Sequence, residues 1–261
     1  MHSISDHPAF TQPLDENSKV WRYMSLDRFD NFVKNGLYFA GINQLRAMDS
    51  YEGKYPNFVE QYWQHFVLNE DANKAANAVK NFQMLRWFVE KCASRIRINC
   101  WHLSEYESVA MWSIYAKNKG VAIQTTYKKL AESISKVNIG TYSPFVGLVR
   151  YVDYNTKPTF SEDSIPYSNI YMPFMSKRIE YAYEKEVRIL IDPIVLPDFV
   201  GQPGEKVSIQ HPVFDDLFLP IDGSFIQQVV LSPMISDADI VRVRDLVNNH
   251  NILVIKSALS I

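Results

Sequence analysis

Only two of the 261 residues are cysteine, Cys92 and Cys100. Two thiols cannot build a disulfide framework, and so low a count fits a reducing compartment. Charge of one sign is missing too: 27 Lys and Arg stand against 29 Asp and Glu, a formal net charge of -2. General duplex-DNA binders carry a basic excess, so that class is excluded, although a local basic groove is not. The longest apolar runs, such as Ile189-Leu190-Ile191 and Val229-Val230-Leu231, fall far short of the ~20 residues of a membrane helix. Residues 1–12 are polar and hold two histidines, with no apolar stretch of a secretory leader, so a cytoplasmic protein with no membrane partner is expected. There is no G-x-G-x-x-G, P-loop, G-x-S-x-G or H-E-x-x-H motif. Repeats, low-complexity segments and Gly/Ser-rich linkers are also lacking.

What is present suffices for a core, with 47% hydrophobic and 21% charged residues. The polar, proline-containing residues 1–18 read as a flexible lead-in and residues 19–261 as a single domain. Ser25 is placed to cap a helix with Leu26, Phe29, Phe32 and Val33 at helical spacing, closed by Gly36. Ala75, Ala78, Val79, Phe82, Leu85 and Val89 form the stripe of a helix over 71–92. Ser104 and Glu107 have capping-box spacing before a helix reaching residue 116, and Ser236 opens another reaching 249. Short strand patterns fall at 21–24, 37–40, 96–100, 120–125, 146–152, 187–191, 226–231 and 252–255, while 153–175 and 192–224 read as loops. Strands and helices mix without regular alternation, which predicts α+β: a central mixed or split antiparallel sheet flanked by helices.

Three clusters carry candidate chemistry. In Trp21-Arg22-Tyr23-Met24, a strand arginine between aromatics either offers its fork to phosphate or ribose or lies on a wet strand face. In Cys100-Trp101-His102-Leu103-Ser104 with Trp112 and Tyr115, a strand end meets a helix start. The two aromatics, three apart, either wall a flat ring or pack inward. His102 is equally a satisfied structural histidine. Cys92 and Cys100 fall on different elements and, with nearby His102, give no zinc pattern, so no metal is predicted. The third cluster is Lys177-Arg178 followed by Glu184-Lys185-Glu186-Val187-Arg188. With Val187, Ile189 and Ile191 inward, Glu186, Arg188 and Leu190 share the opposite face. Glu184 is expected on the strand face of Glu186. The run is either a solvated charge pattern or a carboxylate held ionised by cations.

The ordered set resembles an uncharacterised bacterial family, catalogued as a domain of unknown function and similar to abortive-infection proteins of the AbiGi type. Its parts are Trp21 to Ser25, Gly36 to Phe39, Cys100-Trp101-His102, Met111 to Tyr115, Gly120 to Ile123, Lys177-Arg178, Tyr183 to Arg188, Val229 to Pro233 and Lys256-Ser257. At Met48-Asp49-Ser50-Tyr51-Glu52-Gly53 the family's Asn-Asp-Pro-Phe-Glu is altered: Asp49, Glu52 and Gly53 are kept and the proline is lost. In layout the chain also resembles ADP-ribosyltransferases, with an early NAD-contacting strand residue and a late strand starting with Glu.

That likeness implies NAD as co-substrate, with Arg22 holding it and Glu186 as the catalytic carboxylate. Glu184 and Ser104 would position substrate, and Arg188 would keep Glu186 ionised. Tyr23 with Trp112 or Tyr115 would stack on nicotinamide, and Arg22, His102 and Glu186 would share one pocket. The implied function is an NAD-consuming toxin or antiphage effector with a nucleic-acid or protein acceptor. Two alternatives stay open: a non-catalytic nucleotide-sensing module, and a nuclease using Asp49, Glu52, Glu184 and Glu186 around Mg²⁺. The residues specify neither the acceptor nor an oligomeric state.

Overall fold

A computed structural model describes residues 7, 9–57, 59, 72–117, 119–137, 143–155, 169–192 and 217–259. In chain order the strands are β1 (Lys19–Met24), β2 (Leu37–Gly41), β3 (Arg97–Leu103), β4 (Val121–Thr126), β5 (Ser143–Leu148), β6 (Arg150–Val152), β7 (Ser176–Arg178), β8 (Glu186–Asp192), β9 (Leu217–Leu219), β10 (Gln228–Leu231) and β11 (Leu253–Lys256). The helices are α1 (Leu26–Asn35), α2 (Ile42–Arg46), α3 (Ala72–Ala93), α4 (Val109–Ala116), α5 (Tyr127–Ser135) and α6 (Asp237–Val247). Ser25, Ser108, Thr126 and Ser236 each accept a backbone N–H at a helix start. Gly36 ends α1 at φ 90°, where a Cβ would stand 2.0 Å from the Leu219 carbonyl oxygen.

The fold is α+β, built on one nine-stranded sheet that is antiparallel except where β10 and β11 run parallel. The sheet is split. β8 pairs with β3 along its length, from Arg97↔Ile191 to His102↔Glu186. The other edge of β3 is shared, with β1 meeting Leu103 and His102 and β2 meeting Ile98 and Arg97. Beyond β8 lies β5, and beyond β1 come β4, β10 and β11. A separate parallel pair, β6 with β7, brings Lys177 and Arg178 beside the main sheet.

One face of the sheet is packed by α1, α5 and α6 over Val20, Met24, Trp101, Ile123, Val187, Ile189 and Ile191. The other face holds two separate apolar clusters. Trp21, Tyr23 and Ala122 pack under α4; Ile98 and Leu190 pack with the end of α3, the Met172–Met175 segment and Phe10. A band of buried charge separates the two.

Several expectations need correction. The helix expected from Ser104 begins at Val109, because the Ser104 hydroxyl closes a turn on Tyr106 and Ser108 takes the cap. The strand over 146–152 divides, since Arg150 leaves the β8 ladder and its N–H turns to the Met175 carbonyl. Glu184 is not in a strand; it ends a 3₁₀ turn, and Lys185 at φ 42° redirects the chain into β8. Ala9 and Phe10 of the expected lead-in are buried and the chain is tied down through residue 12: Phe10 stacks on Phe145 at 4.7 Å, Thr11 bridges to Leu148, and the Gln12 amide donates to the Val146 carbonyl. Of the helical stripe, Phe82 and Val89 are buried, whereas Val79 is 41% exposed. β3 is buried on both faces instead of one, because each face is covered by its own layer. The expected loops also contain β9 and a 3₁₀ turn at Met172–Phe174, and a second 3₁₀ turn, Gly223–Phe225, starts at their end, while 156–168 and 193–216 lie outside the described residues. Among the described residues no helix is long and apolar enough to cross a membrane.

Candidate functional site

Strand parity decides which side chains meet. With Val187, Ile189 and Ile191 in the core under α1, α5 and α6, β8 turns Glu186 and Arg188 to the opposite face. Pairing with β3 sets them beside His102 and Cys100.

Arg188 is 0% exposed, and all five of its guanidinium donors are used. Nε and Nη2 donate to Glu186 at 2.7 and 3.2 Å. Nη1 and Nη2 donate to Glu52 at 3.0 and 2.7 Å, and Nη1 also reaches the Phe174 carbonyl at 2.6 Å. Lys177, arriving on β7, places Nζ 2.5 Å from Glu184, 3.3 Å from Glu186 and 3.7 Å from Glu52. Three carboxylates therefore share two cations, and one negative charge is in excess. The Tyr115 hydroxyl donates to Glu184 Oε1 at 2.8 Å, and the Tyr151 oxygen accepts from the Glu186 N–H.

This arrangement drives the two late carboxylates apart. Burial opposes charge on Glu186, but Arg188 and Lys177 outweigh it and bring its pKa down to about 2. Glu184 moves the other way: burial raises its pKa, Lys177 only partly opposes this, and the charge of Glu186 adds to the rise. Burial would lower the pKa of Lys177, yet Glu186, Glu184 and Glu52 hold it above the usual lysine value. Burial and Glu184 raise the Tyr115 pKa, so its phenol stays a donor. His102 Nδ1 lies 2.5 Å from the Glu184 carbonyl oxygen. A carbonyl only accepts, so Nδ1 carries the proton and Nε2 keeps its lone pair in the neutral ring. Burial lowers the His102 pKa, which favours that neutral form.

Of the residues singled out in the sequence, the structure brings His102, Tyr115, Glu184, Glu186 and Arg188 together. Arg22 is not among them. It pairs with Ile123, on the α1 side of the sheet, and its guanidinium lies 6.0 Å from the Trp101 ring. There it fills the fork where β1 and β2 diverge along β3, donating to the Cys100 and Tyr38 carbonyls at 3.0 and 3.4 Å. Burial without a carboxylate partner lowers its pKa to about 10. The expectation that Arg22 shares a pocket with His102 and Glu186 is thus corrected: one residue of register separates the two faces.

Tyr23 and Trp112 border the network but are committed to packing. Trp112 is fully buried, edge-on to Tyr23 at 4.9 Å, with its indole N–H on Glu107. The Tyr23 hydroxyl accepts from the Ser108 N–H, so neither ring is open to a nicotinamide. Ser104 lies at the turn before α4, its carbonyl accepting from the Trp21 indole, away from the carboxylates. Both carboxylate oxygens of Glu186 are engaged, one by Arg188 Nε and the other by Arg188 Nη2 and Lys177, with Cys100 beside them. Lys177, of the third cluster, and Glu52, of the nuclease alternative, stood outside the NAD site implied by the resemblance, and the structure brings both into the network. The signal for them was indirect: an arginine on a strand buried on both faces needs carboxylate partners.

Asp49 turns to Arg178 at 3.0 Å, and Glu52 and Glu186 turn to Arg188. Among the described residues no group of three or more His, Cys, Asp or Glu is placed to hold a metal ion. No curated protein and no solved structure matches the chain. Residues 111–189, the stretch carrying Tyr115, Lys177, Glu184, Glu186 and Arg188, match the model of an uncharacterised family described as a protein of unknown function (DUF2971).

Proposed function

We propose that this chain is an NAD-consuming enzyme of the ADP-ribosyltransferase type, with Glu184 as its working carboxylate. The observation that carries the reading is the opposed displacement of two carboxylates sharing one lysine, Glu184 upward and Glu186 downward. Paired carboxylates with divergent pKa values mark acid–base and charge-stabilising sites at glycosidic bonds. Glu186, already surrounded by cationic donors, gains little from a further positive charge. Glu184, whose ionised form burial disfavours, gains most when positive charge develops on a ribose beside it. Glu186 is then a positioning residue that holds Lys177 and Arg188.

In this reading the bond between ribose C1′ and the nicotinamide nitrogen breaks with its electron pair leaving on nicotinamide. A nucleophile, water or an acceptor group, bonds to C1′ and loses its proton to His102 Nε2. The acceptor, nucleic acid or protein, and a role in toxicity or phage defence follow from the resemblance alone.

The test is nicotinamide release from NAD by the purified protein, followed by chromatography. Wild type should turn NAD over, and Glu184→Gln should lose about 10²–10³-fold in kcat, the usual cost of removing one preorganised charge-stabilising group. A wild type that releases no nicotinamide, or a Glu184→Gln that matches it, overturns the reading. Binding of NAD without turnover would instead favour the nucleotide-sensing alternative.

A further inference from the structure

Beside the buried network, a second set of side chains is held open to solvent. Arg178 follows Lys177 on β7 and turns away from it. Nε and Nη2 of Arg178 both donate to Asp49 Oδ1, at 3.1 and 3.0 Å, and Nη2 also reaches the Tyr181 hydroxyl at 3.4 Å. Asp49 is buried and is itself fixed by the Tyr51 N–H. The guanidinium lies between two rings, 4.9 Å from the Tyr51 centroid and 5.3 Å from that of Tyr181. Among the described residues, Nη1 of Arg178 makes no hydrogen bond, and the side chain is 29% exposed. Tyr183 stacks on Tyr181 at 6.4 Å and is 47% exposed. The ring of Tyr181 ties the two sets together, because Lys177 Nζ lies 4.6 Å from the same centroid.

The pair with Asp49 uses Nε and Nη2 alone, so the two N–H groups of Nη1 remain for a further acceptor. A guanidinium whose rotamers are already fixed, with one edge free, loses little entropy on meeting an anion. Planar donors suit phosphate oxygens, and an exposed tyrosine face one ring away suits a nucleobase. We infer that Arg178, with Tyr51 and Tyr181, forms a phosphate-binding subsite for a nucleoside phosphate, with the base on Tyr183 and the reacting end toward Glu184. The inference rests on the proposed reading for its direction, but its binding chemistry can be tested alone.

The probes are ADP and adenosine, titrated calorimetrically into the full-length protein. Wild type should bind ADP at least ~10-fold more tightly than adenosine, because one charge-assisted contact is gained. Arg178→Gln should lose ~10–100-fold in ADP affinity and leave adenosine unchanged. Since Arg178→Gln strands the buried Asp49, Asp49→Asn/Arg178→Gln serves as the second variant and should show the same loss with a melting temperature near wild type. Arg178→Lys should recover only part of the preference, as it keeps the charge and loses the planar fork. Equal affinity for ADP and adenosine, wild-type ADP binding by either Gln variant, or no ADP binding at all overturns the inference and leaves Arg178 as a clamp on Asp49. ADP binding through Arg178 in a protein that releases no nicotinamide upholds the subsite and refutes the enzymatic reading. Turnover of NAD that survives both Gln variants with unchanged KM does the reverse.

Discussion

Replacing Arg188 with methionine tests whether the ion network is a unit. Arg188 is fully buried and bonds two carboxylates and the Phe174 carbonyl. Methionine fills much of the same volume but donates nothing. Removing one partner of a buried pair costs about 3–5 kcal/mol, because the other charge remains buried. Two carboxylates are stranded here, which pushes toward the upper end; Lys177, within 3.3 Å of Glu186 and 3.7 Å of Glu52, pulls the figure back. A chain of this size should therefore lose about 6–20 °C in melting temperature. The pH dependence follows from the sign of the shift. The pKa of Glu186 is lowered from 4.5 to about 2, so its contribution is complete above 4.5 and is lost as pH falls toward 2. In Arg188→Met the stranded Glu186 takes up a proton more readily, so acidification to pH 4.5 relieves the variant while the wild type keeps its full Glu186 contribution. The gap between them should be widest at pH 7 and narrow at pH 4.5. Guanidinium unfolding followed by tryptophan fluorescence, at both pH values, measures it. The triple variant Glu52→Gln/Glu186→Gln/Arg188→Met should regain much of the loss, since neither stranded carboxylate remains and Lys177 keeps Glu184 as its partner. A cost at pH 7 below about 1 kcal/mol, typical of a solvent-exposed pair, would refute the reasoning, as would a gap independent of pH.

Arg22→Met should destabilise by about 1–3 kcal/mol through the orphaned Cys100 carbonyl, and should leave nicotinamide release and ADP affinity unchanged. A loss of turnover in a folded Arg22→Met would show that the two sheet faces communicate. Phe10→Ala should cost about 3–5 kcal/mol by denaturant unfolding, because its side chain is buried and its ring stacks on Phe145; a neutral result would return residues 9–12 to the status of a dispensable lead-in. The His102 pKa is lowered from 6.5, so the folded chain resists a proton that the unfolded chain accepts, and stability falls as pH drops below 6.5. His102→Asn, which can still donate to the Glu184 carbonyl, should flatten that part of a melting-temperature profile between pH 7.5 and 5.5.

The position of Glu184 shows how a turn can do the work expected of a strand. Two carboxylates at i and i+2 of a strand share a face by periodicity alone. Here the left-handed Lys185 breaks that periodicity, yet both side chains still reach Lys177, because the 3₁₀ turn folds Glu184 back beneath Tyr115. The environments differ as a result. Glu186 is locked into the ladder beside Arg188, and Glu184 sits at the end of the network, where it meets one lysine and one phenol.

Much of the architecture was legible from local patterns. Serines followed by helical apolar spacing located α1 and α6, period-two alternation located β3 and β8, and short apolar runs located β4 and β10, because capping and burial act over a few residues. The same parity placed Glu186 and Arg188 opposite the core. Other features depended on partners distant in sequence. Whether Arg22 joins Glu186 depends on the pairing of Trp21 with His102 and on the fork in β3, and a shift of one residue would reverse the answer. Lys177 enters through the separate β6–β7 pair, and Glu52 from a turn more than a hundred residues before Arg188. A buried charge is stable only where opposite charges from elsewhere in the chain converge on it. The sequence by itself put Arg188 on the strand face of Glu186 and left that face either solvated or buried; only the tertiary structure buried it and selected Glu52, Glu186 and the lysine that joins them to Glu184.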